Sequence, residues 1–202
     1  MTCCAIAYHR GVGRWKPDAR ERLRTAAIEL FSEQGFAATT VPQITERAGL
    51  TTRTFYRHFA DKRDVLFPPM GAQPETQAAL EQTPPGLTTA GFLAWGLSLL
   101  ASRFEGYRDE MRITRALIDS DPGLQERALR KREMLRSVVD MALRDRGLDT
   151  DQAGLLADAA VGALYTALDK WLESDGEVRI GTVAVDALAT LRSNLEGIDG
   201  AP

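Results

Sequence analysis

At 202 residues the chain is long for one small helical module and suits such a module joined to a second helical domain. An apolar share of 44% beside 26% charged residues excludes disorder across the bulk. The longest apolar run, residues 90–101, is broken by Gly91, Gly96 and Ser98, well short of the ~20 residues of a membrane span. A net charge of −3 disfavours a polyanionic partner only until its distribution is read: residues 1–67 carry +4 and residues 68–202 carry −7, so a basic head precedes an acidic body.

Residues 1–16 read as a flexible tail. Cys3 and Cys4 are adjacent and have no third cysteine to pair with, which points to a reducing cytoplasm. The short apolar segment, followed at once by Gly and Arg, does not suit a signal peptide. Arg14, Trp15 and Lys16 are open to two readings, a solvated tail or an arm touching the minor groove or adjacent phosphates.

The first helix is expected from Pro17–Asp18, with Asp as cap, to a stop at Gly35. Leu23, Ala26, Ala27, Leu30 and Phe31 make one apolar stripe. A second helix covers residues 41–48. Thr40 and Gln43 have capping-box spacing, Ile44 and Ala48 face inward, and Gly49 stands where a left-handed residue ends a helix. A third covers residues 52–59 behind the cap Thr51. Asp61 caps a fourth, which Pro68–Pro69 interrupts before a further turn or two over residues 74–82. The Thr83-Pro84-Pro85-Gly86 segment is a linker. Helical patterns then follow over residues 87–104, 107–118, 121–146, 151–173 and 182–195. The β-branched stretch 178–185 is too short and too glycine-interrupted to demand a sheet. The fold class is all-α, about nine helices: an N-terminal three-helix helix-turn-helix domain over 17–77 (the motif itself at 40–59) and a C-terminal helical ligand-binding and dimerisation domain over 84–197.

The third helix carries the chemistry. By i, i+1, i+4, i+5 spacing, Thr52, Arg53, Tyr56 and Arg57 share one side, while Phe55 and Phe59 turn to the core. A short helix bearing hydroxyls, an aromatic and cations fits the ~12 Å major groove. There Arg53 suits a bidentate fork on guanine, while Tyr56, His58 and Lys62, with Thr40 across the motif, suit phosphate. A solvated helix face is more often rich in Glu and Lys.

The segments ELFSEQGF and TTVPQITERAGLTTRTFYRHFADKRDVL, with the Ala48-Gly49-Leu50 turn, the Phe55-Tyr56-Arg57-His58-Phe59 run and the Lys62…Val65-Leu66 spacing, resemble the DNA-binding domain of the TetR (tetracycline repressor-like) family of bacterial regulators. The resemblance covers residues 17–67, about a quarter of the chain. It implies that Thr40, Thr52, Arg53, Thr54, Tyr56, His58 and Lys62 occupy DNA-contacting positions. Arg57 holds a place that varies in the family, and groove reader and phosphate clamp both stay open. The double proline departs from the continuous fourth helix usual in that family.

In the body, Trp95, Phe104, Tyr107, Met111 and Tyr165, with Arg103 as an anchor for an acidic group, are the candidate walls of an apolar ligand pocket. Each also suits an ordinary core or surface place, and Arg112 is weighed as a second anchor. Ala153, Ala157, Ala160, Ala163 and Ala167 repeat at helical spacing. With Leu188 and Leu191 they are the candidate dimer interface, intrachain packing being the alternative. No P-loop, dinucleotide fingerprint, metal-ligand spacing or nucleophile–histidine arrangement occurs in the sequence, so neither an enzyme nor a cofactor or metal site is expected. The expectation is a cytoplasmic, nucleoid-associated homodimer. It would bind a palindromic double-stranded DNA operator and be released, as a repressor, by an unknown small-molecule effector, without membrane attachment. The alternatives are an activator, or a protein-interaction module using the same fold.

Overall fold

The computed structural model describes residues 18–67, 82–102, 104–174 and 178–198. The expected break at Pro68–Pro69, the turns over 74–82, the N-terminal tail with Cys3, Cys4 and Arg14–Lys16, and the anchor Arg103 lie outside or almost wholly outside them. Among the described residues all regular structure is helical, eight α-helices and one short 3-10 segment. The chain divides into two compact units, Met1–Val65 and Leu66–Pro202.

In the first unit, α1 (Ala19–Gln34) is capped by Asp18, whose carboxylate accepts the Glu21 N–H at 2.8 Å. α2 (Val41–Arg47) starts on a complete capping box: the Thr40 N–H donates to Gln43 Oε1 at 2.8 Å and the Gln43 N–H to Thr40 Oγ1 at 3.4 Å. The chain then reverses through Gly49 at φ +63°, a conformation that favours glycine. α3 (Thr52–His58) is capped by Thr51. Leu23, Phe31, Ile44, Phe55 and Phe59 fill the centre, with the Phe55 and Phe59 rings 5.3 Å apart. The expected fourth helix is a 3-10 segment, Lys62–Leu66. Asp61 still opens it, accepting the Arg63 and Asp64 N–H groups at 2.7 and 3.1 Å.

The second unit holds α4 (Thr89–Ser102), α5 (Arg108–Ser120), α6 (Pro122–Asp145), α7 (Thr150–Glu173) and α8 (Ile180–Ile198). Asp121 and Asp149 cap α6 and α7 through Leu124 and Gln152, and Gly147 at φ +92° ends α6. α7 is the hub, packed against α4, α5, α6 and α8. This overturns one expectation. Ala153, Ala157, Ala160, Ala163 and Ala167 are all buried within their own chain, where small side chains let neighbouring helices approach closely. Leu188 packs against the same core and only Leu191 is exposed, at 39%. Periodicity shows that a helix will approach this stripe; it does not say from which molecule. Arg112, weighed as a ligand anchor, instead caps α7: its Nε donates to the Leu172 carbonyl at 2.7 Å, beside Arg108 Nε on the Trp171 carbonyl at 3.1 Å. Cations at a helix C-terminus also oppose its negative dipole end. No helix among the described residues is long and apolar enough to cross a membrane.

Candidate nucleic-acid interface

α3 has two unlike sides. Phe55 is 0% exposed and Phe59 is buried, whereas Tyr56 is 61% exposed and Thr52, Arg53 and Arg57 are exposed with it. The buried pair is four positions apart, so one face of two helical turns supplies the anchor and the rest is left to solvent. The Tyr56 ring stands edge-on to Phe55, 5.4 Å away at 82°, which fixes the phenol's direction from a buried base. Arg53 has no partner among the described residues. Arg57 Nη2 donates to His58 Nε2 at 3.3 Å, which orders both side chains on the helix's last turn. Thr40 and Thr54 are engaged in caps: Thr40 in its box with Gln43, and Thr54 through its hydroxyl 3.0 Å from that of Thr51.

The head's basic excess is largely committed to its own structure. Arg22 donates to the carbonyls of Ala48 and Gly49, holding the turn between α2 and α3. Arg20 donates to the His58 carbonyl at 3.5 Å and lies 4.8 Å from the Phe59 ring centre. Arg47 forks onto Glu33 with two 2.8 Å bonds, and hydrogen bonding from that guanidinium holds the Glu33 carboxyl below its ordinary range. Lys62 differs from its expectation as a phosphate contact. Its ammonium donates to the carbonyls of Phe36 and Thr39 at 2.7 Å each and sits 4.2 Å from the Phe36 ring centre. Carbonyls left over after α1 and before α2 need donors, and Lys62 supplies them. Arg53 and Arg57 thus remain as the outward cations of α3.

The second unit carries a partly open cavity of about 370 Å³. Phe104, Met111 and Tyr165, three of the candidate pocket residues, line it. Trp95 does not: it stacks with Phe92, centroids 6.5 Å apart, at a separate void of about 60 Å³. Tyr107 precedes α5 and is 43% exposed, away from the cavity. Burial raises the Tyr165 phenol above its ordinary pKa, so it is a neutral hydroxyl at physiological pH. No group of three or more His, Cys, Asp or Glu among the described residues is placed to hold a metal.

Residues 23–67 match the family model of the bacterial regulatory proteins of the tetR family. The HTH-type transcriptional regulator TcmR of Streptomyces glaucescens is 30% identical over 87% of this chain and 84% of its own. This chain belongs to the tetR family. HbdR of Aromatoleum, another HTH-type transcriptional regulator, is 44% identical over 25% of this chain and 22% of its own. Among solved structures, FadR from Bacillus subtilis in complex with stearoyl-CoA superposes with a TM-score of 0.59 at 20% identity, covering 85% of this chain and 96% of that one. A SmeT–triclosan complex does so with 0.55 at 22%, covering 85% and 90%. At such identities the structural likeness speaks for the fold. α1 to α3 are therefore the DNA-binding helices of a tetR-family transcriptional regulator, and α3 stands as the second helix of its helix-turn-helix.

Sequence reasoning missed several cavity residues of this tetR-family body. Thr114, Arg115 and Ile118 on α5 and Gln125, Ala128, Leu129 and Arg132 on α6 all line the void. The signal was present as two stripes at i, i+3, i+4, i+7 spacing, 111–114–115–118 and 125–128–129–132, each carrying polar residues on an otherwise apolar face. Arg20 and Arg22, which hold the reading helix, left no comparable signal, because their acceptors are backbone carbonyls distant in sequence.

Proposed function

We propose that this chain is a ligand-responsive repressor that binds a palindromic operator as a homodimer in the cytoplasm, on the nucleoid. The observation that carries the DNA side is the division of α3, with Phe55 and Phe59 buried while Thr52, Arg53, Tyr56 and Arg57 stand in solvent. Thr52 and Arg53, at the N-terminal end, address base edges. Tyr56, Arg57 and His58, with Thr40 and Thr54 at the caps, address phosphates and set the register. The ligand side is supported by the 370 Å³ cavity, within the range of small-molecule sites. Relatives of this fold, FadR with stearoyl-CoA and SmeT with triclosan, are known with small molecules bound. A ligand that favours a conformation poor at binding DNA weakens the DNA complex, and by linkage DNA weakens the ligand's binding by the same factor.

The dimer reading moves to the outer face of α7. Leu155 is 72% exposed, Ala159, Gly162 and Thr166 follow at helical spacing, and a side chain at Gly162 would meet open space. Selection from a randomised duplex library tests the DNA reading. A single palindromic consensus is expected, with affinity falling steeply as salt rises. Failure to enrich any sequence, with binding absent at low salt, sinks it.

A further inference from the structure

We infer that the effector is an amphipathic anion: an apolar body seated in the second unit's cavity, its acidic end at Lys131 and Arg132, and a further polar atom on the Thr114 hydroxyl. The inference rests on the ligand-binding reading above and adds the charge and polarity of the ligand. Three observations carry it.

Charge comes first. Among the described residues four charged side chains line the cavity, Arg115, Asp119, Lys131 and Arg132. Arg115 is already neutralised, its Nε 3.1 Å from Asp119 and its Nη1 2.6 Å from Asp169. That contact also satisfies Asp119. Lys131 and Arg132 have no carboxylate partner among the described residues, so the charge left uncompensated at the wall is positive. This occurs in the acidic part of the chain, where carboxylates are plentiful.

The second observation is an orphaned hydroxyl. Thr114 is 3% exposed and its Oγ1 has no hydrogen-bond partner among the described residues. A threonine inside a helix ordinarily returns its hydroxyl to a carbonyl one turn back; this one does not, and it lies on the cavity wall. A buried polar group left unpaired invites an explanation, and a ligand oxygen or N–H supplies one.

The third is the wall around them. Phe104, Met111, Leu164 and Leu168 are apolar, and the Arg132 guanidinium lies 4.9 Å from the Tyr165 ring centre. A cation held against an aromatic face keeps its N–H edge available to an anion. The Tyr165 phenol remains protonated, and so does not compete for that cation as an anion would.

Two probes share one aromatic body and differ by one charge: 8-anilinonaphthalene-1-sulfonate and neutral N-phenyl-1-naphthylamine. Fluorescence titration of the full chain is expected to give the sulfonate about tenfold tighter binding, the scale of one charge-assisted contact. In Lys131→Gln/Arg132→Gln, changes at a half-buried and an exposed position, the difference should vanish while the neutral probe binds as before. Thr114→Val should weaken both probes, whose shared anilino N–H can pair with the hydroxyl. Equal affinity of the two probes for the wild type, or a preference that survives the double substitution, overturns the charge assignment while leaving the cavity as the ligand site. Binding of both probes undiminished by Ala128→Trp, with helicity unchanged, removes the cavity from the ligand reading altogether. If Ala128→Trp does not fold, Met111→Trp on the same wall makes the same distinction.

Discussion

In the first unit Phe31 and Phe55 are almost fully enclosed, and Arg20, Arg22 and Lys62 tie loop and helix-end carbonyls to the core. In the second, Phe104 and Tyr165 border a void of about 370 Å³, and a buried hydroxyl on its wall lacks a partner among the described residues. Cations act similarly in both units, since Arg108 and Arg112 hold the end of α7 as Arg22 holds the turn before α3. The aromatic residues differ. The head uses them to fix one conformation of a short helix that must present its side chains in register. The body leaves space among them that a ligand can fill. A filled interior gives a single geometry, whereas an unfilled one can take more than one. The repressor proposed above needs the first property at its DNA-reading end and the second at its sensing end.

The largest expected effect breaks the head. Phe55→Ala removes a fully buried ring from a unit with few others, at a cost of about 3–5 kcal/mol, a large share of the stability of a domain this small. DNA binding should be lost and the helical signal reduced, while the anionic probe still binds the second unit. Retention of DNA affinity would show that the buried side of α3 does not determine its exposed side.

Next in size is Leu155→Arg. If α7's outer face is the dimer contact, a charge placed there with no partner should weaken association about a hundredfold, or ~2.7 kcal/mol. Sedimentation at micromolar concentration should then give a monomer where the wild type gives a dimer. An unchanged dimer mass places the interface elsewhere. Arg53→Ala follows. It should cost about 1–3 kcal/mol on the selected operator and relax its sequence preference. Tyr56→Phe, which removes only a hydroxyl, should weaken all sequences alike. Inverted behaviour of the two exchanges their roles.

The sequence carried local information well. The caps at Asp18, Thr40 and Thr51 and the left-handed Gly49 are all where spacing placed them, because each depends on atoms three or four residues away. The division of α3 was legible for the same reason. What spacing does not carry is the choice of a distant partner. Lys62 reads as a phosphate contact, yet its acceptors are 26 and 23 residues back. The alanine stripe of α7 read correctly as a close-approach surface and incorrectly as an outward one, since helices of the same chain fill it. The cavity arises where α5, α6 and α7 fail to meet fully, a property of three helices together. Hence Trp95 and Tyr107 were indistinguishable from Phe104 and Tyr165 until those helices were packed.

The smallest effect is the most discriminating between a void that is merely unfilled and one awaiting a polar ligand. Thr114→Val exchanges the orphaned hydroxyl for a methyl at nearly constant volume. An unpaired buried hydroxyl costs about 1–3 kcal/mol, so without ligand the variant should be more stable than the wild type by about 1 kcal/mol, and thermal unfolding should move a few degrees upward. With the anionic probe saturating, the order should narrow or reverse, because only the wild type gains the hydrogen bond. A variant less stable without ligand means that the hydroxyl is already satisfied in solution, by ordered water for instance. The wall of the cavity would then ask nothing of a ligand at that position. A natural site that keeps a destabilising hydroxyl at a wall otherwise suited to valine is explained by what binds there, since packing alone favours its loss.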